Sequence, residues 1–168
     1  MDIKTFHKNI LNDVRIELTE EFDRNFERKS FFGTAWLKNV LINRRGSLMA
    51  RSNNLRRSLQ ARINNDRIEY SSSLPYASIQ NEGGEIKVTA KMKRYFWAKY
   101  YEAGGSKSKN IEAEQYNALA LMPIGKLIKI PSRRFIGPHP RIREVVQDCV
   151  NDNLVDLNKI LVEKLKQK

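Results

Sequence analysis

The side chains with the most chemical potential in this sequence are arginines. Arg44, Arg45, Arg51, Arg56, Arg57, Arg62 and Arg67 form a tract without lysine, and Arg133 and Arg134 stand side by side in Ile130-Pro-Ser-Arg-Arg-Phe-Ile-Gly137. A guanidinium is a planar fork of donors that suits carboxylates and phosphates. Three partners are therefore open for these groups: a phosphate, a carboxylate, or the protein's own backbone. Further along, Lys91, Lys93 and Arg94 are followed closely by Phe96, Trp97, Tyr100 and Tyr101. Cations interleaved with aromatic rings are the means by which single-stranded nucleic acid is held. With Arg51, Arg56 and Arg57 they are candidates for contact with DNA or with an acidic partner. The alternative is an ordinary solvated surface with the aromatic rings in the core.

Other chemistries lack their residues. Two histidines and one cysteine offer no ligand spacing for zinc, haem or redox chemistry. His7 falls in a helical stretch and His139 in a Pro-His-Pro turn, neither beside a nucleophile. Carboxylate pairs for hydrolysis would be needed in the middle of the chain, where acids are scarcest. Gly83-Gly84 and Gly104-Gly105 lack the spacing of a phosphate-binding or dinucleotide-binding loop. The expectation is a protein without cofactor or metal that is not an enzyme. Cys149 lies on the apolar stripe of a helix and reads as a small core residue.

The charge is unevenly distributed. Of a net +12, residues 31–141 hold 20 basic against 7 acidic side chains, whereas residues 1–30 and 142–168 are close to neutral. Such a bias favours polyanions or acidic protein surfaces as partners. No stretch approaches the roughly 20 apolar residues of a membrane span, and the N-terminus lacks the shape of a signal peptide. The protein is expected in the cytosol where it is made, with no membrane partner.

These residues must be positioned by a single domain, since 168 residues suffice for one core and are too few for two of typical size. Ile3, Phe6, Ile10, Val14, Leu18, Phe22 and Phe26 follow helical spacing and predict a long first helix. Ile142, Val145, Val146, Cys149, Val150, Leu154, Leu157, Leu161 and Leu165 predict a long last one, with Pro138 and Pro140 where it begins. Between them, residues 60–71 read as two strands joined by a tight turn at Asn64-Asn-Asp66. Tyr76–Glu82 reads as one or two helical turns, residues 85–89 and 126–130 as strands, and residues 90–102 and 110–122 as helices. The glycine-, serine- and lysine-rich residues 104–110 read as a mobile loop. In the arginine pair's own segment, Pro131 holds the chain extended, Phe135 and Ile136 can anchor it, and Gly137-Pro138 turns it into the last helix. That makes it a structural corner.

Four segments, in order, resemble the phage virion morphogenesis family, the tail completion proteins of Mu-like and related tailed phages and prophages. They are Phe32-Gly-Thr-Ala-Trp36, Leu48-Met-Ala-Arg-Ser-Asn-Asn-Leu-Arg-Arg-Ser58, Tyr76-Ala-Ser-Ile-Gln-Asn-Glu-Gly-Gly-Glu-Ile86 and Ile130-Pro-Ser-Arg-Arg-Phe-Ile-Gly137. The resemblance covers residues 22 to about 145. It marks Phe32, Gly33, Trp36, Leu55, Ser58, Tyr76, Ala77, Gly83, Gly84, Pro131, Arg133, Phe135 and Gly137 as structural positions. Three departures stand out: Asn53 replaces a glycine, Gln80 a histidine and Arg134 a proline. Asparagine tolerates the left-handed backbone of a turn glycine, whereas glutamine removes any acid–base role of an imidazole.

The resemblance implies a structural component of the virion that completes the tail or joins tail to head, meeting neck, tail or connector proteins as a ring of copies. Assembly would take place in the host cytoplasm, with non-specific contact to packaged DNA. It implies an α+β fold, a small antiparallel sheet against the long N- and C-terminal helices. Arg133, which coincides with the family's arginine, is expected to have a fixed hydrogen-bonding or ion-pair role, and Arg134 to be exposed. The competing reading is a basic module for single-stranded nucleic acid.

Overall fold

In the computed structural model, residues 3–39, 46–107 and 110–166 are described. The apolar stripe of the first segment forms helix α1, Ile3–Arg28, and the stripe at the other end forms helix α6, Pro140–Lys166. Proline occupies the first turn of α6, where its missing N–H costs nothing. His139 closes that end: its Nδ1 accepts from Arg141 N at 3.1 Å, and its ring stacks on Phe32 with centroids 4.5 Å apart. The two helices pack side by side, burying Val14, Leu18 and Phe22 with Val145, Cys149 and Phe31. Asn153 Nδ2 donates to Asp13 Oδ2 at 2.7 Å across the seam.

After α1 the chain makes a hairpin of strands β1, Ser30–Phe31, and β2, Thr34–Ala35. Its two-residue turn, Phe32-Gly33, has positive φ at both positions, the geometry that matches strand twist. A short helix α2, Asn54–Arg57, leads into β3, Leu59–Asn64, and β4, Arg67–Ser72, paired antiparallel. Asn64 faces Arg67, which leaves Asn65-Asp66 as the tight turn, with Asn65 at φ +52°. Ahead of α2, Asn53 sits in the left-handed region at φ +57°, the conformation that a glycine would supply.

Helix α3, Ala77–Glu82, then precedes β5, Gly84–Lys87, whose partner β6, Leu127–Ile130, arrives only after two more helices. These are α4, Ala90–Glu102, and α5, Ile111–Leu121, which pack on each other as an insertion between paired strands. Thr89 and Asn110 cap them by accepting from Met92 N and Glu112 N, a role for which short oxygen-bearing side chains are suited. Within the segment expected to be a loop, Gly105–Lys107 forms a 3-10 turn, while residues 108 and 109 lie outside the described residues.

The fold is α+β, with long first and last helices, but its strands pair as three separate two-stranded ribbons. Among the described residues the single small sheet expected from the resemblance is thus divided into separate ribbons. α1 packs on β3 and β4, and α4 and α5 separate β5 from β6 along the chain.

A second core contains Phe26, Trp36, Leu55, Ala77 and Phe135. The Phe26 ring lies 5.6 Å from Trp36 and 5.2 Å from Phe135. Asn25, fully buried beside it, donates to Phe135 O at 3.2 Å and accepts from Phe32 N at 3.0 Å. Asn25→Ala leaves two buried backbone groups without a partner. The expected loss is about 3 kcal/mol, seen as a melting temperature lower by roughly 10 °C in a calorimetric scan; an unchanged transition would mean that water replaces the amide.

Candidate interaction surface

Two of the arginines singled out by type are spent inside the molecule. Arg56, on α2, donates through Nε and Nη2 to both carboxylate oxygens of Asp23, and through Nη2 to Glu27 Oε1 at 2.7 Å. Hydrogen bonds to the carboxylates of Asp23, then Glu27, push its pKa up. The tract therefore holds one of its own members against α1, and Arg56 leaves the set of residues available to an outside partner.

Arg133 is buried on a different principle. Its Nε donates to Leu37 O at 2.9 Å and its Nη2 to Asn39 Oδ1 at 3.0 Å, with Lys38 O at the long limit of 3.5 Å. These acceptors are neutral, and burial lowers the pKa of the group. A guanidinium remains charged through any such shift at working pH, so carbonyl dipoles compensate it. Of the three partners open to it by type, Arg133 has taken the protein's own backbone. Arg134 is exposed, with its guanidinium 5.9 Å from the Phe31 ring.

The segment from Pro131 to Gly137 has no strand partner of its own, and its polar groups are met by neighbours. Arg133 N donates to Gln80 O at 2.8 Å, and Phe135 N and Ile136 N both donate to Asn81 Oδ1. Trp36 Nε1 donates to Arg134 O at 2.6 Å. A Cβ on Gly83, at φ +78°, would come within 2.7 Å of Ser132 N, so the close passage of α3 past this strap requires glycine there. Asn25 and Asn81 were not among the positions singled out from the sequence. The available signal for Asn25 was an amide on the apolar stripe between Phe22 and Phe26.

Clefts open on both sides of Arg133. One, of about 390 Å³, includes Arg51, Asn53, Leu55 and Tyr76; the other, of about 440 Å³, includes Tyr95, Phe96, Tyr116 and Pro131. Both share Asn39, Arg51, Gln80 and Arg133. Of the remaining marked positions, Leu55 and Ala77 are buried, Ser58 Oγ bonds Leu55 O and Ser72 Oγ at 2.7 Å, and Gly84 and Gly137 have positive φ.

The basic residues come from separate elements: Arg51 precedes α2 and Arg57 ends it, whereas Lys91, Lys93 and Arg94 occupy the start of α4, and Arg51 lines the same cleft as Tyr95 and Phe96 of α4. No residue of α4 is buried, and Tyr95 and Tyr101 are exposed. Phe96, Trp97 and Tyr100 are half-buried, so the rings of this helix are neither a closed core nor a fully open face. Trp97 and Tyr101 stack, with centroids 6.0 Å apart and planes 26° from parallel. A second exposed face lies on α6, where Leu154, Val155, Leu161 and Leu165 meet solvent.

Among the described residues no group of three or more His, Cys, Asp or Glu could hold a metal, and no described helix is long and apolar enough to cross a membrane. His7 pairs with Asp66 at 3.6 Å on the surface. Cys149 is buried, and burial, reinforced by Glu17 and Asp13, raises its thiol pKa, which makes it a poor nucleophile.

A sequence model of the phage virion morphogenesis family matches residues 5–155. Neither the curated proteins nor the solved structures return a significant match.

Replacing Arg133 should separate shape from charge. Arg133→Ala is expected to cost about 3 kcal/mol in urea unfolding, and Arg133→Lys to recover less than half, because an ammonium lacks the fork that spans Leu37 O and Asn39 Oδ1. Full recovery by lysine would show that only the charge matters.

Proposed function

Because the chain belongs to the phage virion morphogenesis family, we propose that it is a structural virion protein that completes the tail or joins tail to head, through contacts with neck, tail or connector proteins and with further copies of itself. The observation that carries this reading is the amount of surface left uncovered. The chain exposes 12142 Å², whereas a compact monomer of 19.6 kDa is expected to expose about 8,600 Å². Apolar side chains are exposed at Ile3 of α1, at Leu121, Ile124 and Leu127 between α5 and β6, and along α6 from Leu154 to Leu165. Apolar surface of this extent marks contact sites, and such a part works by being covered.

A second reading, a module for single-stranded nucleic acid, draws on the Trp97–Tyr101 stack beside Arg94. The arrangement of cations on separate elements favours protein contact over a continuous phosphate track, though packaged DNA in the neck can meet Arg51, Arg57, Lys91 and Lys93. Phosphate neutralisation makes binding fall steeply with salt; protein seated on apolar anchors weakens far less.

The test is a phage or inducible prophage carrying an early stop in this reading frame. Filled heads and finished tail tubes should accumulate unjoined, with infectivity restored by the chain supplied in trans, and purified wild-type particles should contain it. Normal, infectious particles without the chain would overturn the assignment.

A further inference from the structure

Arg133 carries a charge that the fold takes out of water without supplying an opposite one. The residue is only 7% exposed, and its Nε and Nη2 are held by Leu37 O, Lys38 O and Asn39 Oδ1. Carbonyl and amide dipoles bind the guanidinium, yet they bring no net charge, and a buried ion is ordinarily met by a counter-ion. Nη1 has no hydrogen-bond partner among the described residues, and none of their buried side-chain nitrogens or oxygens lacks one. Nη1 is therefore open to solvent, and the open space that Arg133 lines is the pair of clefts on either side of it.

Those clefts are basic and short of acid. Among the described residues neither is lined by an Asp or Glu, while Arg51 borders both and Lys129 one. Residues 40–45, which follow Asn39 in the sequence, contain no acid either. Gln80, half-buried and common to both linings, has a side-chain amide with no hydrogen-bond partner among the described residues, so a donor and an acceptor are available there. Tyr76 lines one cleft, and Tyr95, Phe96 and Tyr116 line the other. Their volumes of about 390 and 440 Å³ fall within the roughly 300–1,000 Å³ of sites that take ligands.

Resting on the assembly reading above for the owner of the segment, we propose that the joined clefts dock an acidic peptide segment of a neighbouring virion protein, with one aspartate or glutamate carboxylate at Arg133 Nη1. The carboxylate supplies the missing counter-charge and accepts from the open nitrogen, the charge-assisted bond that a guanidinium favours. The tyrosine and phenylalanine rings take the side chains that flank it, as aromatic anchors do at protein interfaces. The positive groups border one shared place, which suits a single anionic group. A nucleic-acid strand asks instead for cations in succession along its phosphates, and Lys91, Lys93 and Arg94 line neither cleft.

The test exposes the purified full-length chain to a bead library of short N-acetylated, C-amidated peptides with aspartate, glutamate, asparagine or glutamine fixed at one central position. Acidic members should be retained in preference, and the amide counterpart of a selected sequence should bind about tenfold or more weakly. Two variants separate binding from folding. Asn39→Asp keeps the acceptor for Arg133 Nη2 and sets a carboxylate against the guanidinium, so the thermal transition should not fall while peptide affinity drops about tenfold or more. Gln80→Glu, at a side chain without an internal partner, should weaken binding in the same way. No preference for acid over amide, or affinity unchanged in both variants, overturns the proposal. So does displacement of the peptide by inorganic phosphate or oligothymidylate at concentrations no higher than those of unlabelled peptide. In phage, a dispensable chain would sink the assembly reading while the peptide selection stands, whereas a required chain whose Asn39→Asp and Gln80→Glu forms assemble normally would sink this site alone.

Discussion

The strap from Pro131 to Gly137 has no ladder partner and buries Arg133 and Phe135, so the backbone groups it takes out of water must be paired by neighbours, because a buried unpaired group costs about 1–3 kcal/mol. The chain meets that constraint with side chains drawn from distant elements. Asn25 of α1 holds Phe135 O, Asn81 of α3 holds Phe135 N and Ile136 N, Trp36 holds Arg134 O, and the Gln80 carbonyl holds Arg133 N. These bonds bring α1, α3 and the segment after β2 to one place, and Phe26, Trp36 and Phe135 pack around it. Arg133 extends the same arrangement outward by holding Leu37 and Asn39. The arginine is a fastener between two stretches of backbone.

That use of arginine changes what the positive charge means. Arg56 is absorbed by Asp23 and Glu27, and Arg133 by carbonyls, so part of the basic excess of the middle segment serves the fold. What remains outside is distributed between the α2 region and α4. The α4–α5 pair hangs from a two-stranded ribbon and buries none of α4, and α6 continues past the core with leucines in solvent.

The elements themselves were largely legible. Strong periodicity at 3.6 residues gave α1 and α6, and the turn residues Asn65-Asp66 and Gly83-Gly84 bounded their neighbours, because local backbone preference and apolar spacing act over a few residues. Asn53, which stands where the resemblance places a glycine, takes that glycine's left-handed conformation. Less legible were relations between elements: strand residues show that they are strands, but not that they pair in three ribbons. The same limit applied to the aromatic residues of α4, whose types suit a core and a surface equally. Asn25 and Asn81 escaped because an amide carries no mark of the backbone it will meet more than fifty residues away.

The sequence by itself determined the α+β class, the long terminal helices and the family, since each depends on residue type, spacing or ordered local motifs. Tertiary structure alone decided that Arg56 pairs with α1 and Arg133 with backbone carbonyls, and that the strap is closed by two asparagines and a tryptophan. The physical reason is that hydrogen-bond partners and burial are set by contacts between residues far apart in the chain, and no local pattern encodes which distant group will stand within 3 Å.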